Sequence, residues 1–383
     1  MKIYKRYHSG KIPVYVLLWL LMLVHSYEAL AGKPSGQTTR IIPDDEMPIF
    51  LDLIANEIRD NYERIITWSG EIDVKINWLW TGDKAKEIFV FTDVIGEIPE
   101  AILQKVEEKT VFAIDANENF VYIDQIREKN QYINHITKID LGRRSNTTIC
   151  STLIVRPDFS LEAKPKSYDI KDNTIRQRKA VKKTSPRIES RTGLYKTVND
   201  PRKIFMPGAM SAWNLHDRLK KMIDRFGKIE FDGYSFKIEE HIKDESTEYK
   251  IIQPAVVSME RNSPDDYAIE TKVFSSQYGF NLRDYRITNG SGKLLQQFTY
   301  EYELNNGVYL PKRVVQKDYR SNGEVGYEKD CTYTNSKLNQ KISTETFEYT
   351  NLKLKDGDIF IDEISNKEYR YNADTRTLRP VDK

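Results

Sequence analysis

The chain has 383 residues, 59 Lys and Arg against 57 Asp and Glu, and a formal net charge of +2. A balance this close to neutral argues against nucleic acid as the main partner. Two cysteines permit at most one disulfide, and the length suits one large β domain or two smaller ones.

The first residues read as an address. Lys2, Lys5, Arg6 and Lys11 form a basic stretch, residues 14–24 an apolar run short for a bilayer, and Ala29-Leu30-Ala31 a small-residue cleavage signal. We expect a signal peptide over residues 1–31, cleaved near Ala31, and therefore a periplasmic or otherwise exported protein; a retained anchor is the alternative. Its removal takes away four basic residues and one acidic residue, so the mature charge becomes −1.

Residues 44–80 hold the strongest pattern. Met47, Phe50, Leu51, Ile54, Ile58, Tyr62 and Ile65 recur at spacings of three and four, which predicts an amphipathic helix. Asp44, Asp45 and Glu46 set negative charge at its start, and Pro48 suits a first turn. After Trp68-Ser69-Gly70 the period falls to two, with Ile72, Val74, Ile76, Trp78 and Trp80 alternating with mostly polar residues, which predicts a strand. A second β-rich run is expected over residues 87–95 and a short helix or loop over 97–109. Strands over 110–115 and 120–126 are expected to form a hairpin through Ala116-Asn117-Glu118-Asn119.

Residues 142–202 lose periodicity and gain basic residues. Residues 163–192 read as an exposed, mobile insertion, either a solvated face or a surface for an anionic partner. A second amphipathic helix is expected over residues 210–226, carried by Trp213, Leu215, Leu219, Met222, Ile223 and Phe226 and ending at Gly227. Turns at Asn289-Gly290-Ser291-Gly292, Asn305-Asn306-Gly307 and Ser321-Asn322-Gly323 then separate alternating runs such as Phe298, Tyr300 and Tyr302, the mark of an antiparallel meander. The organisation expected is a first helix and strands over 32–141, a basic, partly disordered insertion over 142–202, and a second helix and meander over 203–383. The fold class is α+β: a curved antiparallel sheet, an incomplete β-barrel, covered by amphipathic helices.

Catalytic patterns are sparse. His135, His216 and His241 are scattered without a second ligand at metal spacing. Gly290-Ser291-Gly292-Lys293 lacks the upstream glycine of a phosphate loop, and Asp115, Asn117 and Asn119 lack the glycine and glutamate of a calcium loop. Asp356, Asp358, Asp362 and Glu363 fit either a metal or acid/base cluster or, more simply, a polar turn. Cys150 and Cys331 form one disulfide or remain two buried thiols. No enzyme and no cofactor is expected. What stands out instead is apolar and aromatic strand surface, which, if partly unfilled, makes a pocket suited to acyl chains.

Four stretches resemble the outer-membrane lipoprotein-sorting (LolA/LolB-like) family, particularly its larger exported planctomycete-type members. They are the first helix running into Tyr62-Glu63-Arg64-Ile65-Ile66-Thr67-Trp68-Ser69-Gly70, then Asp200-Pro201-Arg202, then Val308-Tyr309-Leu310-Pro311, and finally Leu338-Asn339-Gln340-Lys341-Ile342 leading to residues 356–362. The resemblance implies a half-barrel whose hydrophobic cavity carries lipid or lipoprotein acyl chains in the periplasm. Its lid is expected to bear Ile54, Ile58 and Tyr62, and its wall Ile76, Trp78 and Phe91. Peripheral membrane contact, and an envelope partner or anionic surface for the basic insertion, are the other partners expected. The alternative is a cell-envelope structural protein with a filled barrel and a partner-binding insertion.

Overall fold

A computed structural model describes residues 38–90, 96–142, 150–165, 178–183, 234–243, 246–256 and 267–381, with residues 92, 94, 168–169, 174–175, 202, 220 and 230–231 as short pieces. Strand β1 (Thr38–Ile41) precedes helix α1 (Met47–Glu63), β2 (Thr67–Thr81) and helix α2 (Gly82–Phe89). Then come β3 (Ala101–Asp115), β4 (Phe120–Asn134), β5 (Cys150–Val155), β6 (Ser160–Pro165), a two-residue pair β7 (Tyr168–Asp169) and β8 (Thr174–Ile175), and β9 (Arg178–Lys183). After the small pair β10 (Glu230–Phe231) and β11 (Tyr234–Ser235) the meander runs through β12 (Lys237–Lys243), β13 (Ser246–Val256), β14 (Tyr267–Ser275), β15 (Asn281–Asn289), β16 (Leu294–Asn305), β17 (Val308–Tyr319) and β18 (Val325–Leu338). Two 3-10 turns over Thr344–Phe347 and Tyr349–Leu352 lead to β19 (Ile359–Asp362), β20 (Lys367–Asn372) and β21 (Thr377–Pro380).

Seventeen of these strands form one sheet. Its neighbours run β1-β12-β13-β14-β15-β16-β17-β18-β2-β3-β4-β5-β6-β9-β19-β20-β21, and every junction is antiparallel except β9 with β19. The two end strands, β1 and β21, do not pair, so the sheet is open. One buried cluster nonetheless takes Ile238 from β12 and Val155 from β5, ten strand steps apart, together with Leu51, Ile54 and Ile58 of α1. At about 4.8 Å per step those strands would lie nearly 50 Å apart in a flat sheet, against a helix about 10–12 Å across, so the sheet curls round α1.

The expected helix and strand are present, and α1 begins at Met47 with Pro48 in its first turn. Residues 87–95 depart from expectation. Gly82–Phe89 is helical, burying Ala85 and Phe89 against Ile102, Tyr132 and Leu141, with Lys84–Glu87 and Asp83–Lys86 pairs one turn apart on the outside. Residues 97–109 mostly belong to a strand, because β3 starts at Ala101 and pairs with β2 along all fifteen positions. The alternation was hidden there because Glu108 occupies a buried position normally held by an apolar residue.

The segment read as an insertion supplies β5, β6 and β9 to the sheet. Ile154, Leu161 and Ala163 pack with Phe347, Leu352 and Phe360 in a second cluster. The second amphipathic helix expected over residues 210–226 lies outside the described residues apart from Lys220.

Candidate functional site

The face of the sheet that meets α1 can be followed row by row, because directly paired residues share a face. Beneath the helix the rows are apolar. Trp68 pairs with Ile114, Gly70 with Phe112 and Val74 with Cys331, and Val314, Tyr300 and Phe298 continue the lining across β17 and β16. Gly70 makes room for the Phe112 ring: a Cβ there would sit 3.1 Å from the Thr334 carbonyl and 3.3 Å from that ring. The helix fills this trough with Met47, Leu51, Ile54, Ala55, Ile58 and Tyr62, all at 2% exposure or less. Burial pushes the Tyr62 phenol well above its usual range.

The C-terminal end of α1 is fastened from three places. The Asn61 amide donates to the Tyr309 carbonyl at 3.0 Å and accepts from the Tyr309 N–H at 2.8 Å. Arg202 donates to the Tyr62 carbonyl at 3.2 Å, placing a cation at the helix C-terminus where the helix dipole favours one. The Asn339 side chain accepts from the Ile66 and Thr67 N–H groups and donates to the Arg64 carbonyl, while the Thr67 hydroxyl donates to the Gln340 carbonyl. Tyr309, Arg202 and Asn339 come from three of the four stretches that carried the family resemblance, and they converge on the fourth. At its other end α1 has no side-chain cap. It follows β1, a four-residue strand exposed throughout and paired only with β12.

Beyond α1 the same face changes character. On β17, β18, β2, β3 and β4 the next rows hold Gln316, Lys329, Ile76, Val106 and Asn130, then Asp318, Tyr327, Trp78, Gln104 and Tyr132. Trp78 is 42% exposed, stacks on Trp80 at 4.3 Å and meets Tyr327 edge-on at 5.2 Å. Gln104 ties the row together, accepting from the Trp80 indole at 3.0 Å and donating to Asn130 at 2.9 Å and to the Tyr132 hydroxyl at 3.4 Å. At the border with the apolar rows, buried Glu108 accepts from Arg127 and Gln125, both at 2.7 Å. Burial, aided by the nearby Asp330 and Glu108 carboxylates and opposed by Lys329, pushes the Cys331 thiol up to about 11, so it is a weak nucleophile.

Of the predicted cavity residues, Ile54, Ile58 and Tyr62 lie in the buried cluster and Ile76 packs half-buried against it. Trp78 stands clear of α1 on the open rows, and Phe91 lies outside the described residues. Cys331 is a free, buried thiol. Cys150 sits on β5, four strand steps away through β2, β3 and β4, on the order of 15–20 Å and too far for a disulfide. The carboxylate group near the C-terminus is turn chemistry: Asp358 accepts from the Lys355 N–H, Asp356 from that of Ala373, and Asp362 from those of Ile364 and Ser365. Among the described residues no group of three or more His, Cys, Asp or Glu could hold a metal ion. What reasoning from residue types missed was the helix latch, whose Asn61, Arg202 and Asn339 carry no chemistry-specific pattern.

No protein-family model and no curated protein matches this chain. Solved structures similar to it include a DUF1329 family protein from Desulfovibrio piger, 10% identical with a TM-score of 0.33, covering 79% of this chain and 97% of that one. A LolA superfamily protein from Nitrosomonas europaea is 11% identical with a TM-score of 0.29, covering 78% and 99%. A protein from Vibrio parahaemolyticus, assigned as an outer membrane lipoprotein-sorting domain, is 10% identical with a TM-score of 0.29, covering 79% and 98%. Two of the three bear the name of the family that the sequence resembles. With identities and TM-scores this low, the likeness carries no ligand or partner over to this chain.

Proposed function

We propose that this protein is an exported, non-catalytic carrier of lipid or lipoprotein acyl chains, and that α1 is a plug which the ligand displaces. The observation that carries this reading is an apolar trough occupied by a helix whose ends are held unequally: side chains bond its C-terminal backbone from three places, whereas its N-terminal end is tied through Ile42 to β12 and through an exposed Arg40–Glu46 pair. Tyr309, Arg202 and Asn339 form the pivot, and the uncapped N-terminal end lifts with β1.

Energetics set the size of the ligand. Withdrawing Met47, Leu51, Ile54 and Ile58 costs roughly 1.5–3 kcal/mol each, an upper bound of about 6–12 kcal/mol. A buried methylene returns about 0.8 kcal/mol, so one chain of roughly eight to fifteen carbons offsets the helix and a shorter chain does not.

Native mass spectrometry of protein purified from a bacterial periplasm without detergent, followed by organic extraction, tests this. A stoichiometric adduct removed by extraction supports the carrier and identifies its cargo. A bare mass that stays bare after incubation with long-chain lipids and lipopeptides rejects it. The second reading, an envelope structural protein, is favoured by one observation: Ile54 and Ile58 already fill the trough at 0% exposure. Pull-down of an envelope protein through residues 163–192 from a lipid-free preparation would select it.

A further inference from the structure

Resting on the carrier reading, we propose that the open rows beyond α1 form a subsite for an uncharged, hydroxyl-rich headgroup, so that the preferred ligand is an acylated carbohydrate rather than a phospholipid. The sugar would stack on the exposed indole of Trp78, beside the Gln104 and Asn130 amides.

Three observations point there. First, the apolar rows continue directly into the open rows along β2, from Ile72 and Val74 through half-buried Ile76 to Trp78, so a chain lying under α1 would deliver its head to this place. Second, an indole left 42% exposed on an inward face, backed by Trp80 and Tyr327, is a flat apolar platform suited to the C–H face of a pyranose. The amides of Asn130 and Gln104 lie on the paired strands and supply neutral polar groups at its edge, with Gln104 held in place by the Trp80 indole and by Tyr132, which is itself buried beneath α2.

Third, the charges balance. On the open rows and their border two carboxylates, Glu108 and Asp318, face two cations, Arg127 and Lys329. Arg127 is already paired with Glu108, and the Asp318 carboxylate accepts from Gln296 and Gln316. Holding a phosphate calls for a surplus of cations, in particular a guanidinium fork free to bind it; the described side chains of these rows supply none, and the Arg320 fork beside them is engaged by the Thr81 hydroxyl and the Leu79 carbonyl.

The test measures binding of the full chain to dodecyl maltoside and to dodecyl phosphate below their critical micelle concentrations, with maltose alone as the chain-free control. Trp78→Ala and Trp78→Tyr are measured beside the unsubstituted protein. The expected result is tighter binding of the maltoside by about tenfold, the worth of one well-placed ring contact. Trp78→Ala should bring the two ligands within about threefold, and Trp78→Tyr should keep most of the preference. Equal binding of both amphiphiles, unmoved by Trp78→Ala, overturns the headgroup subsite and leaves the carrier intact. Trp78-dependent binding of maltose with no gain from the dodecyl chain upholds the sugar platform and overturns the carrier. No binding of any probe overturns both.

Discussion

The inward face of this sheet has two halves that share strands but not chemistry. Under α1, residues such as Ile72, Val74, Phe112 and Tyr300 are nearly dry because a helix supplies their partners. A few residues further along β2 and β3, Trp78 and Gln104 keep the same orientation without that cover, and the face becomes aromatic and amide-rich. A strand's alternation therefore tells which side a residue faces, while what lies over that side decides whether it is core or surface.

Substitutions separate the two halves by size of effect. Ile58→Asp, which places an unpaired carboxylate at a fully buried position, should abolish folding or cost more than about 4 kcal/mol in chemical denaturation, whereas Trp78→Asp should leave a cooperative transition. Ile54→Ala should cost about 2–5 kcal/mol, set against less than about 1 kcal/mol for Trp78→Ala; equal losses would erase the distinction between plug and platform. Asn61→Ala removes both bonds to the Tyr309 backbone and should cost about 1–3 kcal/mol while speeding hydrogen exchange in α1 ahead of the sheet.

The smallest effect is expected at Glu239, on β12 next to β1. Burial pushes its carboxyl up, but the ammonium groups of Lys237 and Lys250, at 2.8 and 2.9 Å, more than offset this and hold it at about 2. Because its folded value lies below the unfolded one, this contribution is complete above about pH 4.5 and is lost as pH falls toward 2. Thermal unfolding of Glu239→Gln should thus show a shallower loss of stability over that window than the unsubstituted protein.

How much could be read beforehand follows from the distance over which each signal acts. The stripe of α1, the alternation of β2 and the Asn-Gly turns of the meander are local, and all were legible. Strands β5 and β6 were not, since Ile154, Leu161 and Ala163 are buried in part by Phe347, Leu352 and Phe360, which lie far along the chain, and β9 was not, since its partner β19 lies equally far. The first part of β3 was masked by inward polar residues such as Glu108, which is tolerated because Arg127 and Gln125 satisfy its carboxylate. At the site, contact of Ile54, Ile58 and Tyr62 with the sheet was readable from spacing. The exposure of Trp78 was not, because it depends on where α1 lies across the strands.

The junction of β2 with β18 has a consequence for the order of assembly. Asn77 and Glu328 are neighbours across it although 251 positions separate them, whereas β3, the partner of β2 on its other side, follows almost at once. A chain emerging from its N-terminus can form the β2–β3–β4 ribbon early, but must wait for most of its length before β18 arrives. The middle of the sheet is then completed late, with only the β9–β19 junction and the strands beyond it still to follow. Until it closes, β2 offers a fifteen-residue edge, with the inward side chains of Ile72 and Val74 beside it, to any strand that reaches it first.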